Sequence, residues 1–85
     1  MITKNEQNQL KKIIGSHYSS QVKTILNKKK VRNKFGQAYS SEYIRLVFQG
    51  LRDNKEIEAA IWELAKIKQN KANQLDQLKS DLLNE

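Results

Sequence analysis

This chain has no cysteine, no proline and only three glycines among its 85 residues. Without cysteine it can form neither disulfides nor thiolate metal sites. Because proline and glycine are the residues that break helices, their scarcity favours long helical segments. Hydrophobic residues make up 38% of the chain, so any core is small. We therefore expect an all-α fold, a small helical bundle of one domain.

Long hydrophobic runs are also missing, and the N-terminus lacks the apolar stretch of a secretion signal. We accordingly expect a soluble, cytoplasmic protein that does not bind membranes. The chain is equally poor in groups for catalysis, because His17 is its only histidine. Zinc sites and nucleophilic triads typically combine histidine or cysteine with suitable partners. We expect no enzyme activity, no metal, no cofactor and no small-molecule substrate.

Acidic residues are scarce in the first fifty positions. Residues 1–50 contain ten lysines and arginines but only two acids, for a net charge of +8, whereas residues 51–85 contain six basic and seven acidic residues, for a net charge of −1. This asymmetry is typical of a polyanion-binding face joined to a neutral scaffold or dimerisation element. A lysine-rich surface that is merely solvated remains the alternative. A membrane surface is disfavoured, since bulky apolar anchors do not interleave the lysines.

Local signals predict four helices. Thr3 and Glu6 have the spacing of a capping box, which marks the start of the first helix. Apolar residues then recur at helical spacing in each later segment. The predicted helices extend from Thr3 to Gly15, from about Ser16 to Asn27, from Ser40 or Ser41 to Gly50, and from Asp53 or Asn54 towards the C-terminus.

The fourth helix carries an interrupted apolar stripe, which allows two interpretations. The stripe falters between Lys68 and Lys71 and resumes with Leu75, Leu78 and Leu82. The segment is either one long amphipathic helix, frayed or kinked in the middle, or a helix whose end pairs with a second copy of the chain. We therefore divide the chain into a domain at 1–68 and a C-terminal helical arm at 69–85. We expect the arm either to mediate homodimerisation or to pack on its own domain.

Helical periodicity is absent from residues 28–39, KKKVRNKFGQAY, of which five of the first seven are basic. Val31 and Phe35 are the candidate apolar anchors. We predict a two-stranded excursion in which both side chains point inward and Gly36 lies at the bend.

The segment that follows has the features of a reading helix. Ser40 is a good N-cap, and Ile44, Val47 and Phe48 form a stripe that we expect to be buried. The opposite face carries side chains that can recognise bases: arginine pairs with guanine, glutamine with adenine, glutamate with cytosine, and an apolar group contacts the thymine methyl. The expected base-reading residues are Ser41, Glu42, Arg45, Leu46 and Gln49.

The stretch from Val22 to Ile61 resembles a helix-turn-helix of the phage and bacterial repressor type. The resemblance depends on the following residues: Ser40, Tyr43, Ile44, Val47, Phe48, Gly50, Arg52, Asn54, Ile57, Ala60 and Ile61. About a dozen residues separate Asn27 from Ser40, whereas the usual turn has three or four. The C-terminal DNA-binding segments of large serine recombinases have a longer basic excursion at this point, and residues 25–40 resemble those segments.

These resemblances imply sequence-specific binding of double-stranded DNA by a dimeric transcriptional regulator, such as a repressor, of a phage, mobile element or bacterium. The basic residues beside the reading helix would contact phosphates. The alternative is a helical adaptor or inhibitor whose basic face binds an acidic protein, since a fold does not fix a function. Such an adaptor would depend on Leu46, Trp62 and the C-terminal leucines. The expected phosphate-binding residues are Lys28, Lys29, Lys30, Arg32, Lys34, Ser40 and Arg52.

Overall fold

The computed structural model describes residues 1–83 and places four α-helices and no β-strand within them. This confirms the all-α fold with a long C-terminal helix. The third helix begins where the sequence predicts, but it ends two residues before Gly50. The helices are α1 (Lys4–Ile14), α2 (Tyr18–Lys28), α3 (Ser41–Phe48) and α4 (Lys55–Leu83).

Side-chain caps mark the start of α1, α3 and α4, whereas the side chain of His17 makes no capping bond at the start of α2. The Thr3 hydroxyl accepts a hydrogen bond from the Glu6 amide, and the Thr3 amide donates to the Glu6 carboxylate, as the sequence predicts. The second of these bonds lowers the pKa of Glu6. Ser40 caps α3, and the Asn54 side chain accepts two backbone amides of the first turn of α4 at 3.1 Å. Each cap satisfies donors that have no partner within the helix.

The core lies where the first half of α4 packs against the other three helices. Tyr18 covers one side of it, with its ring stacked on Phe48 at 4.3 Å between centroids. A Phe48 side chain that is 1% exposed makes α3 part of this core in spite of its eight residues. A helix of that length depends on such packing, because it is marginal alone. The buried apolar residues are Ile2, Leu10, Ile14, Val22, Leu26, Ile44, Val47, Phe48, Ile57, Ala60, Ile61, Leu64 and Ala65.

Helix α4 continues without a break through the interruption in its apolar stripe. Lys68 stands at this interruption, and its ammonium donates to the Ile14 carbonyl at the end of α1, at 3.1 Å. Every later residue up to 83 is exposed, including Leu75, Leu78 and Leu82 at 53–74%. In the single chain the arm therefore extends away from the domain. Its last two residues, 84 and 85, lie outside the described part.

The segment between α2 and α3 is a series of turns, and the predicted two-stranded excursion is wrong for this part of the described chain. Val31 is half-buried against the core, as expected, but Phe35 is 75% exposed. The cause is local: the Asn33 side chain accepts the amides of Phe35 and Gln37, at 2.9 and 3.0 Å. This closes a tight turn that leaves the Phe35 ring in solvent.

Candidate nucleic-acid interface

Helix α3 has one fully buried face and one exposed stripe. Ile44, Val47 and Phe48 are at most 1% exposed. Glu42, Arg45 and Gln49 are exposed, and their spacing of three and four residues places them along one line on the opposite side of the helix. The buried face holds the helix against the domain. The backbone that carries the exposed side chains is therefore rigid.

Two of the five expected base-reading residues are less accessible than the rest. Ser41 and Leu46 are half-buried, and the Leu46 carbonyl accepts the Leu51 amide in the turn that ends α3. The exposed stripe is therefore narrower than the predicted base-reading set. It consists of Glu42, Arg45 and Gln49.

Arg45 also borders an open cleft of about 430 Å³ between α3 and the α1–α2 turn. Lys11, Ser16 and Tyr18 line the same cleft. Burial raises the pKa of the Tyr18 hydroxyl, and the nearby Arg45 charge partly opposes this rise. Two cationic side chains thus face one cleft. Sequence reasoning missed Lys11, because no local pattern brings α1 next to a residue 34 positions further along the chain.

The third residue of the basic segment, residues 28–39, has a strained backbone. Lys30 has φ 58° and is the only non-glycine residue with positive φ among those described. Its amide donates to Asn27 and the next amide, of Val31, donates to Leu26, which together form a Schellman turn at the end of α2. Glycine usually occupies this position, since a Cβ makes the left-handed conformation unfavourable by about 1–2 kcal/mol. Compared with glycine, lysine at position 30 adds a positive charge and makes the turn less stable.

The remaining basic side chains differ in what they contact within the chain. Lys29 forms an ion pair with Glu63 of α4. The Arg32 guanidinium donates to the Asn27 side chain at 3.3 Å and to the Val31 carbonyl at 2.9 Å. Lys28 and Lys34 are exposed, whereas Lys29 is paired with a side chain of α4 and Arg32 is bonded to residues near the end of α2.

The last two predicted phosphate-binding residues lie at opposite ends of α3. The Ser40 hydroxyl accepts the Tyr43 amide at 3.2 Å, so the side chain already serves as the N-cap. Arg52 is exposed beyond the C-terminus of α3 and donates to the Leu51 carbonyl at 2.9 Å. Beside the N-terminus, the Tyr39 ring stacks on Tyr43 at 5.2 Å.

Within residues 1–83, no group of three or more histidine, aspartate and glutamate side chains is placed to hold a metal ion. No helix in the same range has both the length and the apolar character required to cross a membrane.

Comparisons of this chain with models of protein families, with curated proteins and with solved structures found no match. The resemblance to a helix-turn-helix therefore depends on the residues of this chain alone, chiefly the Ser40 cap, the apolar stripe of α3 and Gly50.

Proposed function

We propose that this protein binds double-stranded DNA sequence-specifically, with α3 lying in the major groove. The observation that carries the proposal is the two-sided character of α3, in which a fully buried apolar face holds an exposed stripe of Glu42, Arg45 and Gln49. The major groove admits one α-helix, and these three side-chain types can each form hydrogen bonds with base edges there. Rigid support favours selectivity, because side chains on a mobile helix could shift to fit the base edges of any sequence.

The basic segment would supply the contacts to phosphates. It leads directly into the N-terminus of α3, and Lys28, Lys30 and Lys34 are exposed within it. Phosphate contacts give affinity and fix the register of a protein on the duplex, while base contacts give selectivity. Lys29 would contribute least, since a phosphate has to compete with Glu63 for its ammonium. Arg52 would reach the backbone from the other end of α3.

A small protein that occupies a DNA site can block or assist transcription there. We therefore extend the proposal to a small cytoplasmic transcriptional regulator of a bacterium, phage or mobile element. Three exposed leucines of the arm support a homodimer, because a second copy would cover Leu75, Leu78 and Leu82. A dimer would present two reading helices to two half-sites one helical turn apart.

Salt-dependent binding to a random duplex tests the electrostatic part of this proposal. We expect the double variant Lys28→Ala/Lys34→Ala to lower the slope of log affinity against log salt by roughly two, about one per lost phosphate contact. The matched control, Lys71→Ala/Lys79→Ala, removes the same charge from the arm and should keep the parent slope. A parent protein without salt-dependent duplex binding would overturn the proposal.

The selective part is tested in the same assay after preferred sites have been selected from random sequence. Arg45→Ala should lose about 1–3 kcal/mol of discrimination at one base pair and keep the melting temperature, because Arg45 is exposed. Arg45→Lys is the matched control for charge, since lysine lacks the two-pronged geometry of arginine. An Arg45→Ala variant that ranks all duplexes as the parent does would show that α3 is not the reading helix.

An adaptor for an acidic protein is the second candidate, and the exposed apolar side chains favour it. Trp62 is 37% exposed and Leu51 59% exposed, outside the basic segment. Poly-glutamate competition separates the two candidates. An acidic-protein site would bind this polymer as tightly as a selected duplex, whereas a DNA-reading helix would bind the duplex far more tightly.

A further inference from the structure

Phe35 is a large apolar residue that lies outside the core. Its side chain is 75% exposed and lies within the most basic segment of the chain. Exposure alone says little, because isolated apolar residues are common on protein surfaces. Two features of its surroundings suit the exposed ring to binding a partner. They are the order of its turn and the neighbouring charges.

The first feature is that the turn carrying Phe35 is ordered by its own hydrogen bonds. Besides the two amides that the Asn33 side chain accepts, the Asn33 amide donates to the Gln37 carbonyl at 2.8 Å. The Gly36 amide donates back to the Asn33 carbonyl at 2.9 Å, and Gly36 has φ 78°. A ring held on such a turn loses little conformational freedom when it binds, which favours affinity.

The second feature is the positive charge around the ring. The Lys34 ammonium lies 5.2 Å from the centroid of the Phe35 ring, and Arg32 precedes it by three residues. A partner that contacts both the ring and the neighbouring cations must present apolar surface and negative charge within a few ångströms of each other. A DNA strand does so, because its sugar carbons and the faces of its bases are apolar and its phosphates border each groove.

Chain length places Phe35 within reach of the groove next to α3. Phe35 precedes the Ser40 cap of that helix by five positions, so the two residues lie at most about 18 Å apart. The major groove is about 12 Å wide, so a helix lying in it leaves the flanking strand and the edge of the minor groove inside this span.

We propose that Phe35 is a second DNA contact, whose ring packs into the minor groove beside the major groove occupied by α3. Lys34 and Arg32 then lie at the phosphates that border the ring. The inference rests on the proposed duplex binding and adds a contact that the reading helix does not supply. Apolar side chains that enter the minor groove partly unstack or widen a base step, so they favour deformable steps over stiff ones.

Substitution of Phe35 gives the direct test. Phe35→Ala should weaken binding to a selected duplex about tenfold, equivalent to roughly 1.4 kcal/mol, without changing the melting temperature or the salt slope, because no charge is removed. Phe35→Trp should retain the affinity, since a flat apolar ring remains. Gln37→Ala is the matched control on the same turn; it removes an exposed side chain and leaves the backbone bonds in place.

The absence of cysteine makes the position of the turn measurable on the DNA. Gln37→Cys creates a single thiol that can carry an iron chelate, which cuts the nearest sugars by hydroxyl radicals. We expect the cuts on the two strands to be offset in the 3′ direction, as is typical of a source in the minor groove. A source in the major groove gives the opposite offset and would overturn the inference.

Two further outcomes separate this inference from the function on which it rests. A parent that binds duplex DNA together with a Phe35→Ala variant of equal affinity would refute the minor-groove contact and leave the reading helix intact. A parent that does not bind duplex DNA would refute both. If Phe35→Ala instead weakened binding to anionic phosphatidylglycerol vesicles and left duplex binding unchanged, Phe35 would be a lipid contact and the inference would be wrong.

Discussion

The two connections that flank α3 begin in the same way and are held by different forces. Each follows a Schellman turn whose left-handed residue is Lys30 after α2 and Gly50 after α3. At Gly50, an added Cβ would lie 2.6 Å from the backbone oxygen of Ile2, a residue buried in the core. The connection that contains Lys30 is exposed over most of its length and is ordered largely by hydrogen bonds among its own residues.

The difference shows which residues the fold dictates. After α3, packing against Ile2 leaves room only for glycine at position 50. Before α3, the turns need Asn33 as an acceptor, but the core does not constrain the exposed side chains around it. Their composition, rich in lysine and including an exposed phenylalanine, is therefore available to serve binding.

The largest effect is expected from Gly50→Ala. The substitution combines left-handed strain, about 1–2 kcal/mol, with a steric clash of the kind that costs about 1–3 kcal/mol. We expect a loss of about 2–5 kcal/mol in the free energy of unfolding, measured by urea denaturation. Gly36→Ala is the control, because Gly36 has the same φ of 78° with nothing within 4 Å of the added carbon. Equal losses for both variants would mean that contact with Ile2 contributes nothing.

A matched pair of asparagines gives the second test of the comparison. Asn54 caps α4, so Asn54→Ala should lower the stability by about 1 kcal/mol. Asn33 accepts two amides in the exposed turn, where water can replace it, so Asn33→Ala should lower the stability less and weaken duplex binding more. The same denaturation and binding assays measure both variants. Reversed ranks in either assay would contradict the division between a cap that stabilises a core helix and an exposed turn that serves binding.

The helices and most of the core follow from the sequence because their signals are local. Thr3 with Glu6, and Ser40 before the Ile44, Val47 and Phe48 stripe, specify their helices through contacts within a few residues. Burial on an amphipathic helix then follows from the period of the stripe.

The features that sequence reasoning missed depend on long-range contacts or on the details of a turn. The Lys68 bond to the Ile14 carbonyl and the Lys29 ion pair with Glu63 join positions far apart in the chain. The apolar side chain of Phe35 predicts burial, but hydrophobicity does not determine the direction of a side chain on a turn. Without periodicity in residues 28–39, there is no face from which to infer burial.

The smallest effect on stability, and the one of opposite sign, is expected from Lys30→Gly. Glycine adopts the left-handed conformation without the Cβ penalty, so the free energy of unfolding should rise by about 0.5–1 kcal/mol. If Lys30 contacts a phosphate as proposed, the salt slope of duplex binding should fall by about one at the same time. Lys28→Gly is the control: it removes the same charge from the last position of α2, where glycine costs up to about 1 kcal/mol. The two variants should therefore bind DNA alike and differ in stability in opposite directions. If Lys30→Gly kept the parent salt slope while gaining stability, the strained lysine would have no part in binding DNA, and its charge would not explain why glycine is absent from that turn.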